Sequence, residues 1–337
     1  MKAYELEKGS TNLASLKMVE RDEPKPGPAQ VLVRIRAASL NYRDQAVVTG
    51  KYFGGVLQRN TIPLSDGAGE VVEAGPEVTR FKAGDRVAGT FFQVWVDGRP
   101  QPGTYGALGY PLDGVLAEYV VLHQDGLVAL PPHLSLEEGA ALPCAGVTAW
   151  NALMVSGRIK PGDTVLTLGT GGVSIFGLQF AKMNGARVII TSSSDTKLER
   201  ARALGADDVI NYAKTPDWDK EVMKLTGGNG VDNVIEVGGA GTLRKSFLSL
   251  GFGGQVSLIG VLSGPDGDTN PHSIMLKGGK LQGIFVGSRA MFEDMNRAIA
   301  VNGMKPVIDK VFPFEEAAQA YKYQWEKKHF GKIVISI

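Results

Sequence analysis

The hydrophobic pattern of the chain changes in character near residue 146. Before about residue 140, short segments alternate between apolar and polar residues or are rich in β-branched residues, and turns separate them. Such segments predict a strongly bent, mostly antiparallel β domain. They are VLVRIRAASL (31–40), GEVVEAG (69–75), DRVAGTF (85–91) and AEYVVLHQDGLVALP (117–131). A Gly- and Pro-rich stretch at 98–114 has no periodicity, which is typical of a long loop.

After residue 146, short apolar runs alternate with segments of helical periodicity. Fully apolar short strands separated by helices predict a parallel sheet that is covered on both faces. The apolar runs are TVLTL (164–168), RVIIT (187–191), DVIN (208–211), VDNVIEV (231–237), GQVSLIGV (254–261) and LQGIFVG (281–287). The predicted helices 292–303 and 315–327 and the strand KIVISI follow, and we expect them to pack on the β domain. The predicted fold class is α/β with two domains.

The composition narrows the classes of function. The 36 basic and 35 acidic residues give a net charge of +1, and without a block of one sign they favour neither a nucleic-acid nor a membrane partner. One cysteine cannot form an internal disulfide, and no apolar run approaches the roughly 20 residues of a membrane span. The N-terminus lacks the apolar core of a signal peptide. We therefore expect a soluble, cytoplasmic protein that acts on a small molecule.

The first βα turn, VLTLGTGGVSIFG, carries a glycine pattern that is typical of dinucleotide-binding proteins. Gly169 fits the place of the tight turn and Gly171 the place where the backbone approaches a pyrophosphate, whereas Ser174 stands at the third glycine place. The pattern follows a predicted strand, opens a predicted helix, and precedes a second strand by about 20 residues. This context favours a dinucleotide site over a purely structural turn, with the phosphates at the helix N-terminus.

The second strand of the α/β half ends in hydroxyl side chains. The residues TSSS (191–194) are followed by Lys197 and Arg200. Hydroxyl donors and a cation suit the 2′-phosphate of NADP, whereas an NAD site usually carries an acid at this strand end. Asp195 is the acid nearby, and its position favours a helix cap; for Lys197 and Arg200 the alternative is a solvated helix face. The pattern favours NADP, with NAD possible.

Five longer stretches occur in a fixed order along the chain. They are SLNYRDQAVVTGKY (39–52), IPLSDGAGEVVEAGPEVTRFKAGDRVAG (62–89), LPCAGVTAWNAL (142–153), KPGDTVLTLGTGGVSIFGLQFAK (160–182) and ARALGADDVINY (201–212). In this order the chain resembles the medium-chain dehydrogenase/reductase superfamily, in its zinc-independent alcohol dehydrogenase and quinone oxidoreductase-like branch. The resemblance implies a GroES-like catalytic domain of residues 1–145 together with 288–337, and a Rossmann domain of residues 146–287. It also implies a homodimer joined at the Rossmann sheet edge, through the strands of GQVSLIGV and LQGIFVG.

The resemblance also indicates where zinc-dependent relatives hold a catalytic zinc. Their cysteine, their histidine followed by an acid, and their cysteine or aspartate correspond to Asn41, to Ser65 followed by Asp66, and to Cys144. Two of these three ligands are missing, the chain has no further cysteine for a structural zinc lobe, and its four histidines have no ligand spacing. We therefore expect no zinc. Cys144 has no histidine in a matching place to activate it, so we expect a packing residue rather than a nucleophile.

Without zinc, an oxygen that gains negative charge must be stabilised by hydrogen-bond donors or protonated. The resemblance brings Asn41, Tyr52 and Thr148 near the nicotinamide, with Asp44 and Ser65 close by. Tyr52 is by type the best proton donor, and the alternative is an aromatic cover of the cleft. Asn41 is either a polar anchor or a turn-stabilising residue.

The candidates for cofactor binding come from the glycine turn, the second strand end and the later strand ends, where ligands of doubly wound sheets bind. They are Thr148, Gly169, Thr170, Gly171, Gly172, Val173, Ser192, Ser193, Lys197, Tyr212, Gly238, Gly260, Val261, Phe285 and Val286.

Together these features predict an NADPH-dependent oxidoreductase that moves hydride between the nicotinamide and a small carbonyl, enone or quinone. A metal-free NAD(P)-dependent alcohol dehydrogenase is the alternative within the same class. A cofactor-binding structural or nucleic-acid-binding relative without turnover is the alternative outside it. The neutral charge without a basic stripe argues against the nucleic-acid version.

Overall fold

The computed structural model describes residues 1–53, 55–264 and 270–337. The chain forms two compact units, a terminal unit of Met1–Val147 with Gly287–Ile337 and a central unit of Thr148–Val286. The predicted α/β fold class is confirmed, because the terminal unit contains a mostly antiparallel sheet and the central unit a parallel one.

The strands are β1 (Lys2–Leu6), β2 (Leu16–Glu20), β3 (Gln30–Ser39), β4 (Asp66–Ala74), β5 (Arg86–Gly89), β6 (Tyr119–His123), β7 (Leu127–Ala129), β8 (Thr164–Leu168), β9 (Arg187–Ser192), β10 (Asp208–Asn211), β11 (Val231–Glu236), β12 (Leu250–Leu258), β13 (Lys280–Gly283), β14 (Ile308–Pro313) and β15 (Lys332–Ser336). The α-helices are α1 (Tyr42–Val48), α2 (Leu136–Ala140), α3 (Val147–Trp150), α4 (Gly172–Met183), α5 (Asp195–Ala203), α6 (Trp218–Leu225), α7 (Ala240–Ser249), α8 (His272–Leu276), α9 (Arg289–Asn302) and α10 (Ala317–Trp325). Two π-helical turns, Leu142–Gly146 and Asn151–Ser156, flank α3.

The long strand β3 organises the main sheet of the terminal unit, whose order is β14-β15-β3-β4-β5-β7. Along one edge β3 pairs with β4, while its first half also pairs with β6 and its second half with β15. Two register shifts interrupt the pairing with β4, between Leu32 and Val33 and between Ile35 and Ala37. Such irregularities bend a strand, which allows β3 to pair first with β6 and then with β15. The 98–114 stretch is a loop, as predicted, with one 3-10 turn at Pro102–Tyr105.

The central unit contains a six-stranded parallel sheet in the order β10-β9-β8-β11-β12-β13. Helices α4 to α8 connect its successive strands. Numbered from β8, this is the 3-2-1-4-5-6 order of dinucleotide-binding sheets, in which the strand order reverses between the first and fourth strands. Apolar side chains of β8, β9 and β11, among them Leu166, Ile189 and Val234, are fully buried in its core. In such sheets ligands bind beyond the carboxyl ends of the strands at this reversal.

Two local predictions in the central unit need correction. Strand β13 ends at Gly283 rather than at 287, because β12 ends at Leu258 and the last ladder bond runs from Ile284 N–H to Leu258 O. The cap of α5 is Ser194, whose Oγ accepts from Lys197 N, rather than Asp195. Asp195 is the first helical residue, and other side chains engage its carboxylate.

Candidate active site

Asn41 lies immediately before α1 in the terminal unit, and only 8% of its surface is exposed. Its backbone N–H donates to Asp44 Oδ2 at 2.6 Å, so the Asp44 carboxyl stabilises the start of the helix. The Asn41 amide engages other partners. Its Oδ1 accepts from Lys332 Nζ at 2.6 Å, and its Nδ2 donates to Ser65 Oγ at 3.5 Å. The structure thus brings together three predicted residues, Asn41, Asp44 and Ser65.

Lys332 is a site residue that the sequence pattern did not single out. It is only 3% exposed, and its Nζ donates to Leu40 O at 2.8 Å as well as to Asn41 Oδ1. The same nitrogen lies 3.8 Å from Asp66 Oδ2. The sequence does contain a signal, a lysine at the start of the apolar strand KIVIS. A lysine in such a strand is expected to be buried, and a buried ammonium group needs compensating partners.

Ser65 and Asp66 complete a polar cluster of Asn41, Ser65, Asp66 and Lys332. Both are fully buried, and Ser65 Oγ donates to Asp66 Oδ1 at 2.7 Å. Cys144 joins the cluster through its backbone N–H, which donates to Asp66 Oδ2 at 3.0 Å. Burial raises the pKa of the Cys144 thiol, and the neighbouring Asp66 charge raises it further. A thiol that stays protonated is a poor nucleophile and a poor metal ligand.

The donor set of the polar cluster does not fit zinc. The three places that zinc-dependent relatives use hold an amide, a hydroxyl and a protonated thiol, and an ammonium group already contacts the amide. Zinc in proteins is held by thiolate, imidazole and carboxylate ligands. Among residues 1–53, 55–264 and 270–337, no group of three or more His, Cys, Asp or Glu side chains is arranged to hold a metal ion.

Arg43 is buried between two aromatic rings next to this cluster. Its guanidinium carbon lies 4.7 Å from the ring centroids of Tyr52 and of Phe91. Its Nη1 and Nη2 donate to the carbonyls of Leu108 and Tyr110 at 2.8 Å and 2.9 Å, which ties α1 to the long loop. Burial raises the pKa of Tyr52 although Arg43 opposes this shift, so the phenol stays protonated and can donate.

Burial raises the pKa of Asp44 to about 6, against the opposing effects of Arg43 and of the Asn41 N–H bond. A carboxyl whose pKa is raised on folding stabilises the folded protein when the pH is below the pKa of that carboxyl in the unfolded chain, about 4. This stabilisation is lost as the pH rises through about 6, the pKa in the folded protein. The shift corresponds to about 3 kcal/mol.

We therefore expect the free energy of unfolding of the wild type, minus that of Asp44→Asn, to fall by up to about 3 kcal/mol between pH 4 and pH 7. Urea denaturation followed by circular dichroism at each pH measures this difference. A difference that is constant or that rises with pH contradicts the raised pKa.

In the central unit, the glycine turn follows β8. Gly169 has a φ of +74°, a conformation that strongly favours glycine. Gly171 has a φ of −77°, and a Cβ built on it meets no atom of residues 1–53, 55–264 and 270–337 within 4 Å. Neither backbone strain nor packing among these residues therefore accounts for glycine at 171. The open space in front of this backbone is what a pyrophosphate requires, so the turn fits a dinucleotide. Thr170, Gly172 and Val173 belong to the same turn and to the start of α4.

The serine at the third glycine place has a structural reason. Ser174 Oγ donates to Leu168 O at 2.6 Å, which joins the first turn of α4 to the end of β8. The close approach of helix and sheet falls instead to Gly177, where a Cβ would lie 2.3 Å from Ile235 Cδ1. Gly177 is visible in the sequence, but its role depends on the packing of α4 on β11.

Near the end of β9 the carboxylate of Asp195 is bonded to two other side chains. Its Oδ1 accepts from Asn211 Nδ2 at 2.7 Å, and its Oδ2 pairs with Lys214 Nζ at 2.6 Å. The hydrogen bond from Lys214 lowers the pKa of Asp195, followed by that from Asn211. The sequence did not indicate either partner, because Asn211 ends the neighbouring strand β10 and Lys214 follows it.

The predicted residues for the 2′-phosphate lie around the end of β9. Ser192 is the last residue of β9, Ser193 follows it, and Lys197 lies in the first turn of α5. Tyr212 N donates to Ser192 O at 3.0 Å, which brings Tyr212 beside the end of β9. The structure therefore gathers Ser192, Ser193, Lys197 and Tyr212 at one corner of the sheet.

Glu236 is a second residue that sequence reasoning missed. It ends β11, is fully buried, and holds the turn that contains the predicted residue Gly238. Its Oε1 accepts from Gly238 N at 2.7 Å, Gly239 N at 3.0 Å and Thr242 Oγ1 at 2.6 Å, and its Oε2 accepts from Ser246 Oγ. Four donors from one turn and helix fix the backbone at this strand end.

Four further predicted cofactor residues lie beyond β12 and β13. Gly260 N donates to Glu236 O at 3.2 Å, and its neighbour Val261 is half exposed. Val286 has a φ of +54°, which is rare for a β-branched residue, and its carbonyl accepts from Asn151 Nδ2 at 2.7 Å. Phe285 beside it is 40% exposed. The last candidate, Thr148, is buried in α3 of the central unit.

Comparison with known proteins assigns the chain to a family. Residues 27–132 match the alcohol dehydrogenase GroES-like domain, and residues 172–301 match the zinc-binding dehydrogenase family. A zinc-type alcohol dehydrogenase-like protein of Schizosaccharomyces pombe is 47% identical over 330 residues, which cover 96% of this chain and 95% of that protein. The chain belongs to the medium-chain dehydrogenase/reductase superfamily.

Other members of the superfamily resemble the chain over nearly their whole length. A quinone oxidoreductase of Sus scrofa is 31% identical over 306 residues, which cover 89% of this chain and 86% of that protein. The crystal structure of a putative alcohol dehydrogenase from Sinorhizobium meliloti superposes with a TM-score of 0.91 at 42% identity and covers 100% of both chains. This medium-chain dehydrogenase/reductase is an NAD(P)-dependent oxidoreductase. No helix in the described part of the chain is long and apolar enough to cross a membrane.

Proposed function

We propose that the protein is a cytosolic, zinc-independent, NADPH-dependent oxidoreductase that moves hydride between the cofactor and a small carbonyl, enone or quinone. The observation that carries this proposal is the polar cluster. A buried lysine ammonium is hydrogen-bonded to the side chain at the first zinc-ligand place, and the thiol at the third place is protonated. In such a cluster the N–H donors of the Asn41 amide, rather than a Lewis acid, are available to stabilise a developing oxyanion.

The residues of the terminal unit supply the polar part of the reaction, while bound NADPH supplies the hydride. Asn41 Nδ2 carries two N–H bonds, of which one contacts Ser65 Oγ and the other can donate to the substrate oxygen as negative charge develops on it. Tyr52 keeps its phenolic proton because its pKa is raised, and that proton can go to the same oxygen or to an enolate carbon. Asn41 is thus the proposed oxygen anchor and Tyr52 the proposed proton donor.

The preference for NADPH over NADH is supported by the corner at the end of β9. In an NAD site a free carboxylate at this place accepts from the ribose hydroxyls and would repel a 2′-phosphate. Here the nearby carboxylate, Asp195, is already bonded to Asn211 and Lys214. The hydroxyls of Ser192 and Ser193 and the cation of Lys197 are the groups that suit a phosphate.

Replacement of Lys197 by alanine tests this preference. We expect the Kd for NADPH to rise by about tenfold and the Kd for NADH to stay unchanged, because only NADPH carries the 2′-phosphate. Quenching of tryptophan fluorescence measures both constants. Lys224→Ala removes an exposed lysine elsewhere in the same unit and serves as the control. Equal changes for both nucleotides, or none, contradict the assignment of the phosphate site.

The activity is tested by following NADPH oxidation with a quinone, an enone and an aldehyde, each with and without a strong zinc chelator. We expect turnover that the chelator leaves unchanged. Alcohol oxidation is the second candidate, because the solved relative from Sinorhizobium meliloti is described as a putative alcohol dehydrogenase, so reduction of NADP⁺ with short alcohols is measured in parallel. Loss of turnover on chelation, or tight NADPH binding without turnover on the whole panel, contradicts the proposal.

We also propose a homodimer that joins the central units through β13. This strand is the edge of the parallel sheet, and all four of its residues are exposed. Apolar side chains flank the edge, with Leu281 46% exposed, Met275 65% exposed and Leu276 62% exposed. An exposed strand edge with apolar neighbours favours pairing with a second copy.

The variant Leu281→Lys tests this interface. We expect wild type to sediment as a dimer in analytical ultracentrifugation and Leu281→Lys to shift toward monomer, because the lysine places a charge at the paired edge. Val301→Lys replaces a more exposed valine of α9 in the terminal unit and should remain dimeric. A monomeric wild type, or a dimer that Leu281→Lys leaves intact, contradicts the interface.

A further inference from the structure

We propose that Lys332 is a built-in cation that orients and polarises the Asn41 amide toward the reacting oxygen, and so provides indirectly the positive charge that zinc provides in zinc-dependent relatives. Lys332 makes no contact with the substrate in this proposal and is a positioning residue. The inference rests on the proposed function, in which Asn41 anchors the substrate oxygen.

The burial of Lys332 is the first observation behind this role. Its side chain is 3% exposed, and the main-chain carbonyl of Leu40, the amide of Asn41 and the carboxylate of Asp66 surround its nitrogen. An ammonium group loses much hydration free energy on burial, and this loss is offset only when its hydrogen atoms are engaged and a counter-charge is close. The three partners meet both conditions, so the position of the charge is fixed.

The second observation is the orientation of the Asn41 amide. An ammonium group only donates hydrogen bonds, so the atom 2.6 Å from Lys332 Nζ must be the amide oxygen. Nδ2 then faces the opposite side of the cluster, where its contact with Ser65 Oγ is long, at 3.5 Å. Ser65 in turn donates its own proton to Asp66 at 2.7 Å, which leaves the Ser65 oxygen as an acceptor. Lys332 therefore determines which end of Asn41 is presented as a donor.

The third step concerns the strength of that donor. The positive charge of Lys332, next to the amide oxygen, draws electron density from the amide nitrogen. Hydrogen-bonded groups polarise one another in this way in a dry environment. The N–H bonds of Asn41 then donate more strongly to an oxygen that becomes negative during hydride transfer than to a neutral carbonyl. An interaction that strengthens in the transition state raises kcat rather than only lowering KM.

The first test is the variant Asn41→Asp, which keeps an acceptor for Lys332 but removes the N–H donors. We expect a folded protein with an unchanged Kd for NADPH and a kcat lower by roughly tenfold or more. If the contact between Asn41 and Lys332 only supports the fold, Asn41→Asp retains its kcat, and that result overturns the proposal.

A double-mutant cycle on kcat tests the coupling of the two residues. Lys332→Met alone and Asn41→Ala alone are each expected to lower kcat by roughly tenfold or more, and their combination to lower it no further. The cycle is repeated with Asp66→Asn in every member, so that no buried carboxylate is left without its cation. Additive losses in either cycle overturn the coupling.

A third readout does not depend on turnover. In protein labelled with ¹⁵N-asparagine, the side-chain signal of Asn41 is identified by its absence in Asn41→Ala. We expect Lys332→Met/Asp66→Asn to move this signal relative to Asp66→Asn alone, and Lys310→Met, which removes an exposed lysine of β14, to leave it in place. An Asn41 signal that does not respond to loss of Lys332 overturns the orienting role, even if the proposed reaction is observed. The absence of chelator-resistant turnover contradicts only the proposed function.

Discussion

Replacement of Gly171 by alanine is expected to raise the Kd for NADPH by more than tenfold while the free energy of unfolding stays within about 0.5 kcal/mol of the wild type. Gly171 has a φ that any residue adopts, and a methyl group at its Cα meets no atom of the described residues within 4 Å. The methyl displaces none of these residues, so the group that it would displace is a ligand that approaches the backbone directly. A pyrophosphate at the N-terminus of α4 is such a ligand.

Fluorescence titration with NADPH and urea denaturation measure the two expected quantities. Gly103→Ala is the matched control, because a Cβ at Gly103 of the terminal unit also meets no atom within 4 Å. It should leave both the Kd and the unfolding free energy unchanged. A Gly171→Ala protein that binds NADPH as tightly as the wild type would show that the open space serves no dinucleotide.

Replacement of Arg43 by methionine is expected to lower the free energy of unfolding by about 3 kcal/mol. The carbonyls of Leu108 and Tyr110 lose their donors, and the faces of Tyr52 and Phe91 lose the cation stacked between them. Each buried carbonyl left without a partner costs about 1–3 kcal/mol, and a desolvated cation–π contact contributes about 2 kcal/mol. Relief of the desolvation of a buried charge offsets part of this sum.

The same variant should also raise KM for the substrate, because Arg43 joins α1 to the long loop and packs on the proposed proton donor. Arg43→Lys keeps the charge but not the planar group or the two parallel donors, so we expect it to lose a smaller part of the unfolding free energy. Chemical denaturation and steady-state kinetics measure these effects. An Arg43→Met protein as stable as the wild type would contradict the anchoring role.

The elements of this protein differ in how far the sequence predicts them. The turn at Gly169 and Gly171 is local, because strand, turn and helix follow one another within a few residues, and the sequence predicts it directly. Lys332 and Asn41 are 291 positions apart, and only the pairing of β15 with β3 brings them together. Asn211 and Lys214 could not be predicted as partners of Asp195 for the same reason. Only the pairing of β10 with β9 brings them to the end of β9.

Glu236 illustrates a different limit. A glutamate at the end of an apolar strand normally indicates a solvent-exposed strand end, and nothing within VDNVIE itself predicts a buried side chain. Its burial depends on the four donors that Gly238, Gly239, Thr242 and Ser246 turn toward it. The family resemblance indicated candidate residues for cofactor binding, but not the buried groups that hold their backbone in place.

The pairing of β3 with β15 has a consequence for the order in which the molecule is made. Ser39 Oγ donates to Ile333 O across 294 positions, so β3 remains without one neighbour until that later segment has left the ribosome. The central unit is contiguous and has all its strands available earlier, and domains generally fold as units during synthesis. Lys332 is synthesised after every strand of the central unit. Translation therefore delivers the parallel sheet before the charged group that completes the polar cluster.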